Sequence, residues 1–182
     1  MMASAPKLQL VRTSASPSAS NPLDFDWLFE RYAGTVAGVA ARMLGRDDSE
    51  VDDVVQEVFF TTLSRLHRIH SAEAARPWLL GVTVRTVHRV LRRRKRRRVL
   101  LGESSAAEIP APGITAEQSA LLARIYRTLD EIEPKNRIAW VLRHIEGERL
   151  EDVADACGCS LATAKRRILA AQELLTEVLR DE

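Results

Sequence analysis

The first part of the chain has apolar residues at the spacing of amphipathic helices. They recur every three or four positions from Phe25 to Met43, which predicts a helix that ends near Gly45. A second stripe extends from Val51 to Thr62, and the opposite side of that helix is polar. The polar side consists of Glu50, Asp53, Gln56 and Glu57. This pattern predicts a second helix with one buried face and one acidic face.

The helical period is lost after this second helix and then resumes. Residues His67–Arg76 show no period, which predicts a loop, and Pro77 suits the first position of the helix that follows. From Trp78 to about Arg96 an apolar stripe lies opposite a stripe of basic side chains, which predicts a further amphipathic helix. Between Gly102 and Thr115 the sequence combines Gly, Ser and Pro without a period, which indicates a linker.

Beyond the linker, apolar stripes predict helices over Leu121–Ile132 and Ile138–Ile145. The segment Leu150–Leu175 then has the pattern of a helix-turn-helix. Gly158 can adopt the positive φ of a tight turn, and the Ser160 hydroxyl can cap the second helix. A plain helical hairpin with a solvated basic face is the alternative interpretation. No segment alternates apolar and polar residues as a strand does, so the predicted fold is all-α.

The predicted helices fall into two small domains joined by a flexible linker. A segment rich in Ala, Ser and Pro precedes them and is predicted to be disordered, although its basic, Ser-rich composition would also suit an organelle transit peptide. The predicted boundaries are 1–22 for the disordered tail, 23–98 for the first domain, 99–117 for the linker and 118–182 for the second domain.

The positive charge of the chain is concentrated in one segment. Nine of its 27 Lys and Arg residues lie between Arg85 and Arg98, a stretch without any acid, so that 18 cationic residues stand against 25 acidic ones elsewhere. Guanidinium groups pair with phosphate in a bidentate way and stack on bases. The segment therefore has the charge and chemistry of a polyanion-binding site, with a solvated basic run as the alternative.

Several classes of protein are disfavoured by the sequence. No apolar run approaches the roughly 18 residues that span a bilayer, which predicts a cytoplasmic protein without membrane insertion. The four histidines do not share a metalloenzyme spacing with acidic residues, and no phosphate loop or nucleophile motif occurs. We therefore predict no enzymatic activity, no metal and no cofactor. Cys157 and Cys159 are interpreted as small buried turn residues, with a redox-sensing thiol pair or a metal site with His144 as the alternative.

Three stretches, in order along the chain, resemble the extracytoplasmic-function (ECF) sigma factors, the smallest members of the bacterial sigma-70 family. Glu50–Phe59 (EVDDVVQEVF) is similar to the family's polymerase-binding helix, and Arg76–Arg97 (RPWLLGVTVRTVHRVLRRRKRR) is similar to its promoter-melting helix. Leu129–Ile168 resembles the C-terminal domain that reads the upstream promoter element. The resemblance extends from about Asp24 to the C-terminus. It implies a sigma-2-like first domain and a sigma-4-like helix-turn-helix second domain.

The resemblance also implies a function and its partners. A sigma factor directs core RNA polymerase to specific promoters and helps to melt the DNA, and an anti-sigma factor that clamps both domains is expected. Polymerase binding is implied for Asp53, Gln56 and Glu57. Contact with the −10 region of promoter DNA is implied for Arg76, Arg85, Arg89, Arg92 and Arg93. Contact with the −35 region is predicted for Thr163, Lys165, Arg166, Arg167 and Leu169, near the start of the recognition helix.

The chain departs from the family pattern in its recognition helix, where Thr163–Arg167 reads TAKRR against the common TVKSR, and at two pairs of positions elsewhere. Val84 and Arg85 stand where these proteins commonly have Arg-Asn. Glu133 and Pro134 stand where they commonly have Leu-Pro. The sequence of the target promoter therefore does not follow from the resemblance.

Two other functions are compatible with the residues alone. A helix-turn-helix regulator would bind duplex DNA unaided and as a symmetric dimer. An RNA-binding protein would use the Arg85–Arg98 segment and would keep its affinity when Lys165 and Arg166 are replaced. Dependence on core polymerase separates both from a sigma factor.

Overall fold

Helices form the regular structure of the described chain. The computed structural model describes residues 24–44, 49–101 and 115–180, and within these ranges it contains no β-strand, which confirms the all-α prediction. Its α-helices are α1 (Phe25–Leu44), α2 (Glu50–Ser64), α3 (Ala72–Leu101), α4 (Ala116–Glu131), α5 (Pro134–His144), α6 (Leu150–Ala156) and α7 (Leu161–Arg180). A short 3₁₀ turn at Leu66–Arg68 precedes α3. The predicted tail, 1–22, and most of the predicted linker, 99–117, lie outside the described residues.

Helices α1, α2 and α3 form the first unit around a shared apolar core. The stripes predicted from the sequence are buried. Their members include Leu28, Val39 and Met43 of α1, Val54 and Val58 of α2, and Leu79 and Val87 of α3. Burying an aliphatic side chain contributes about 1.5–3 kcal/mol, so these stripes determine how the helices face one another. As a result, Asp53 and Gln56 on the other side of α2 are exposed.

Helix α3 begins earlier than the sequence pattern indicated. The predicted loop over His67–Arg76 ends at Ser71, and the prediction of Pro77 at the first helical position is wrong, because α3 starts at Ala72 and contains Pro77. The residues before Pro77 include three alanines, and alanine is the best helix former, so the segment folds without a regular apolar stripe. The Ser71 Oγ caps the helix by accepting a hydrogen bond from the Ala74 N–H at 3.3 Å. Pro77 removes one backbone donor near the start of a 30-residue helix.

Helices α4 to α7 form the second unit, in which α6 and α7 make the predicted helix-turn-helix. Gly158 in the turn has a φ of +58°, a conformation that residues with a Cβ rarely adopt. The Ser160 Oγ accepts a hydrogen bond from the Thr163 N–H at 3.2 Å, which caps α7 as predicted. The inward side of the motif is buried through Val153, Ala154, Ala164 and Ile168. The opposite side of α7 is therefore left open to solvent.

The two units pack against each other in a single apolar cluster. Val84 and Val87 of α3 belong to the same cluster as Ile138 of α5 and Ala156 of α6. Ion pairs join the units at Arg42–Glu146, Arg76–Glu148, Lys95–Glu133 and Arg98–Asp130. We call this the inter-unit contact. Helical periodicity did not indicate it, because the paired side chains lie between 32 and 104 positions apart in the chain.

Candidate nucleic-acid interface

The arginines in the second half of α3 have different surroundings although they are adjacent in sequence. Arg92 is exposed and forms no ion pair within the described residues. Arg93 pairs with Glu50 of α2. Arg94 is only 23% exposed, and it donates from Nε to Glu50 at 2.7 Å and from Nη1 to the Leu44 carbonyl at 3.2 Å. Arg94 therefore ties α3 to α1 and α2, whereas Arg92 can contact a ligand directly.

The other arginines predicted to contact the −10 region lie nearer the start of α3. Arg76 pairs with Glu148 of the second unit, and this interaction raises the pKa of Arg76. Arg85 lies beside the inter-unit contact, where burial and then nearby Arg65 lower its pKa. Arg89 is exposed but pairs with Glu57 of α2. Of the five predicted residues, Arg85 and Arg92 have no carboxylate partner in the part of the chain that the structure describes.

The acidic face of α2 is partly neutralised by α3. Asp53 and Gln56 are exposed, as a docking surface requires. Glu57 is half-buried and accepts a hydrogen bond from Arg89. The structure thus brings one residue predicted to bind polymerase into contact with one predicted to bind DNA.

The predicted −35 residues divide into two groups on α7. Lys165, Arg166 and Leu169 are exposed, with 60% of Leu169 accessible. Thr163 is half-buried, and its hydroxyl lies 2.9 Å from that of Ser160 at the helix start. Arg167 is also half-buried and faces α3 across a cavity instead of pointing outward with its neighbours. The outward surface therefore consists of Lys165, Arg166 and Leu169.

The two cysteines are partly buried in the turn of the helix-turn-helix and pack against the core. Burial raises the pKa of Cys157 to about 11, and the Cys159 thiol adds to the shift. With its pKa raised in this way, the Cys157 thiol stays protonated at physiological pH. Because the thiolate is the reactive form, this thiol is unreactive. Within the described residues, no group of His, Cys, Asp and Glu has the arrangement of a metal site.

Comparisons with known proteins assign both units. Residues 28–97 match sigma-70 region 2, and residues 122–174 match sigma-70 region 4. The RNA polymerase sigma-H factor of Pseudomonas aeruginosa is 26% identical over 166 residues, which cover 85% of this chain and 86% of that protein. The ECF RNA polymerase sigma-E factor of Haemophilus influenzae is 27% identical over 162 residues, or 83% of this chain and 85% of that protein. The chain belongs to the ECF group of the sigma-70 family.

This sigma factor directs core RNA polymerase to specific promoters for transcription initiation. Its region 2 lies within α1 to α3 and its region 4 within α4 to α7. Among the described residues, every helix is too short or too polar to cross a bilayer.

Two solved structures have the same fold. The sigma factor RpoE from Bartonella quintana, in complex with the anti-sigma factor NepR, aligns with a TM-score of 0.67 at 21% identity. That alignment covers 86% of this chain and 97% of RpoE. CnrH, in complex with the cytosolic domain of CnrY, aligns with a TM-score of 0.59 at 24% identity, over 87% of this chain and 88% of CnrH.

The inter-unit acids are the residues that sequence reasoning missed. Glu146 and Glu148 flank Gly147, whose φ is +72°, in the turn between α5 and α6. Glu146 accepts hydrogen bonds from Arg42 of α1, and Glu148 accepts them from Arg76 of α3. A Glu-Gly-Glu turn is ordinary surface composition, so only its position opposite region 2 reveals its role.

Proposed function

We propose that the sigma factor docks on core RNA polymerase through the acidic face of α2. Asp53 and Gln56 offer exposed polar groups there, with Glu57 at the edge of the same face. Complementary charge mainly orients an encounter and raises its rate, so a basic partner surface would be guided to this helix. The resemblance of Glu50–Phe59 to the family's polymerase-binding helix supports this assignment.

We propose that α7 reads the −35 region. The observation that supports this best is the outward surface of Lys165, Arg166 and Leu169 beside the capped turn of a helix-turn-helix. In this motif the N-terminal part of the second helix enters the major groove. Lys and Arg donate to guanine and to phosphates, while an aliphatic side chain can contact a thymine methyl. Thr163 and Arg167 would contribute from the edge of this surface.

We propose that the −10 DNA is held along α3, and that this requires the two units to separate. Arg92 is already accessible, with Arg89 and Arg93 beside it. Arg76 and Arg85, in contrast, lie at the inter-unit contact. Their predicted role is compatible with the structure only if DNA phosphates replace Glu148 as the partner of Arg76 and reach Arg85 where region 4 now lies beside it. Since phosphate contacts release counterions, promoter binding should weaken steeply with salt.

We further propose that the protein acts in the cytoplasm, has no catalytic activity of its own and is regulated by an anti-sigma factor. The polymerase would supply the chemistry. RpoE was solved with the anti-sigma factor NepR, and CnrH with the cytosolic domain of CnrY. These complexes support a protein partner for this chain, and the resemblance of the chain to its family supports an anti-sigma factor.

The test is transcription from mapped start sites by core polymerase with and without the protein. Asp53→Lys should abolish co-purification with the polymerase, while Asp52→Lys, an equal charge change at another exposed position of α2, should retain it. Lys165→Ala combined with Arg166→Ala should remove promoter selectivity but leave polymerase binding intact. Promoter binding that does not need polymerase, or core polymerase that does not bind the protein, would exclude the proposal.

A further inference from the structure

A cavity of about 150 Å³ lies between the two units, and three of its lining side chains are cationic. One wall is α3 of region 2, and the other walls come from α5, α6 and α7 of region 4. Arg85 and His88 project from α3, Lys135 from α5 and Arg167 from α7. Val84, Ile138 and Ala156 form its apolar part. No acidic side chain lines this cavity among the described residues.

The polar groups of the cavity lack partners that would balance their charge. Arg85, Lys135 and Arg167 form no ion pair within the part of the chain that the structure describes. The interaction that Arg167 does make there is with the Cys157 thiol, which is neutral. The Nε2 atom of His88 is buried without a hydrogen-bond partner. A buried polar atom without a partner destabilises the fold unless something is bound to it.

The charges that act on His88 are mainly positive, like those that line the cavity. Burial lowers the pKa of His88, and Arg92, Lys135 and Arg167 lower it further. Glu133 acts in the opposite sense, but its carboxylate is paired with Lys95. The imidazole is therefore a neutral donor or acceptor beside several positive charges. An anion would relieve the repulsion between these charges and could accept a hydrogen bond from Nε2–H.

The size and the lining of the cavity favour a phosphate group. A single water needs about 10–15 Å³ of comparable space, so the cavity has room for an oxyanion with a few waters but not for a nucleic-acid strand. Arg bonds to phosphate in a bidentate manner, and Lys adds a compact positive charge. Because these side chains come from both units, a bound anion would also bridge them.

We propose that this cavity binds a phosphate group, either free or as the terminal group of a phosphomonoester, and that the bound anion holds the two units together. A ligand that binds only the packed arrangement stabilises it by mass action. The regulatory consequence rests on the proposed function, since it withholds Arg85 and Arg167 from promoter DNA. The binding site itself does not depend on that function.

The test is calorimetric titration of the full chain, without polymerase or DNA, at an ionic strength held constant with sodium chloride. Inorganic phosphate and a nucleoside 5′-monophosphate are the two probes. Lys135→Gln removes an exposed cation of the cavity wall, and Arg127→Gln removes an exposed cation elsewhere as the matched control. Small-angle scattering in parallel reports whether the anion compacts the molecule.

We expect at least one probe to bind with a dissociation constant of about 1 mM or lower, and Lys135→Gln to weaken it about tenfold. Arg127→Gln should bind like the unaltered chain, and the anion should reduce the radius of gyration. Tighter binding of the nucleotide than of phosphate would assign the ligand to the nucleotides, and the reverse would assign it to free phosphate. Equal affinities of the two variants, or no binding of either probe, would overturn the proposal whether or not the protein acts as a sigma factor.

Discussion

Arg76 of region 2 and Glu148 of region 4 form an ion pair across the inter-unit contact. The Arg76 Nη1 lies 3.2 Å from the Glu148 Oε2, and a second hydrogen bond joins the same two side chains. Only 7% of the Glu148 side chain is exposed, whereas 53% of the Arg76 side chain is. An acid buried to this extent needs its partner, because an unpaired carboxylate is costly away from water.

This geometry predicts that Arg76 and Glu148 are energetically coupled. A double-mutant cycle with Arg76→Gln and Glu148→Gln, measured by urea unfolding, should give a coupling energy of about 1 kcal/mol. Each single variant should also increase the radius of gyration, since it weakens the inter-unit contact. The exposed pair Arg149 and Glu151, 3.9 Å apart, is the control and should show almost no coupling. Equal coupling in the two cycles would contradict the structure.

Substitution by Gln should lower the stability of the protein at Arg94 but not at Arg92. Arg94→Gln should lower the free energy of unfolding by about 1–2 kcal/mol, because the buried parts of Glu50 and Leu44 lose a charged donor. Arg92→Gln should leave stability unchanged and shorten the lifetime of the open promoter complex. Chemical denaturation and a competitor-challenge assay measure the two effects. If both variants lose stability equally, the assignment of Arg92 to DNA binding is wrong.

Substitution by alanine should have opposite effects on stability at the turn glycine and at a helical glycine. Gly158→Ala should cost about 1–2 kcal/mol, because Gly158 has a φ of +58° although a Cβ there would meet no neighbour within 4 Å. Gly34 lies inside α1 with the same open surroundings, so Gly34→Ala should stabilise the protein by about 0.5–1 kcal/mol. Thermal and urea unfolding of the two variants give both values. A stabilising Gly158→Ala would show that the turn has another conformation.

The stability of the protein should fall as the pH falls through the ordinary pKa of histidine. The pKa of His88 is lowered from 6.5 by burial and by Arg92, Lys135 and Arg167, against the opposing effect of Glu133. Below pH 6.5 the imidazole of the unfolded chain is protonated, while that of the folded chain is still neutral. The free energy of unfolding therefore decreases as the pH falls, and this decrease ends once the pH is below the lowered pKa.

This pH dependence can be assigned by substitution. In phosphate-free buffers from about pH 8 to about pH 5, the unfolding free energy of His88→Gln should depend less on pH than that of the unaltered chain. His67→Gln, at an exposed position, should leave the dependence unchanged. Part of the slope should persist in His88→Gln, since burial and Arg143 also lower the pKa of His144. A profile unaffected by His88→Gln would contradict the buried environment of this imidazole.

The sequence predicted the features that depend on local spacing. The stripe containing Val54 and Val58 follows from the helical period, and the α6–α7 turn follows from Gly158 and the Ser160 cap. The start of α3 was missed because alanine forms a helix without an apolar pattern. The partners of Arg89, Arg93 and Arg94 could not be predicted, since adjacent arginines differ only in what the folded chain places opposite them.

Two of the departures from the family pattern acquire an explanation in the folded chain. Val84, where the family commonly has Arg, is 5% exposed in the cluster shared by the two units. Glu133, where Leu is common, pairs with Lys95 across the same contact. Both positions therefore support the packing of region 4 on region 2. They were noticed in the sequence as differences, but their consequence was visible only in three dimensions.

The Glu146-Gly147-Glu148 turn forms ion pairs with two different helices of region 2, with α1 through Arg42 and with α3 through Arg76. Because these two attachments lie on separate helices, they restrict the orientation of region 4, together with the Lys95–Glu133 and Arg98–Asp130 pairs. Because both acids belong to one short turn, loss of one attachment should weaken the other, so the two should release together. Separation of the units is then expected to be an all-or-none event with a sharp threshold rather than a gradual loosening.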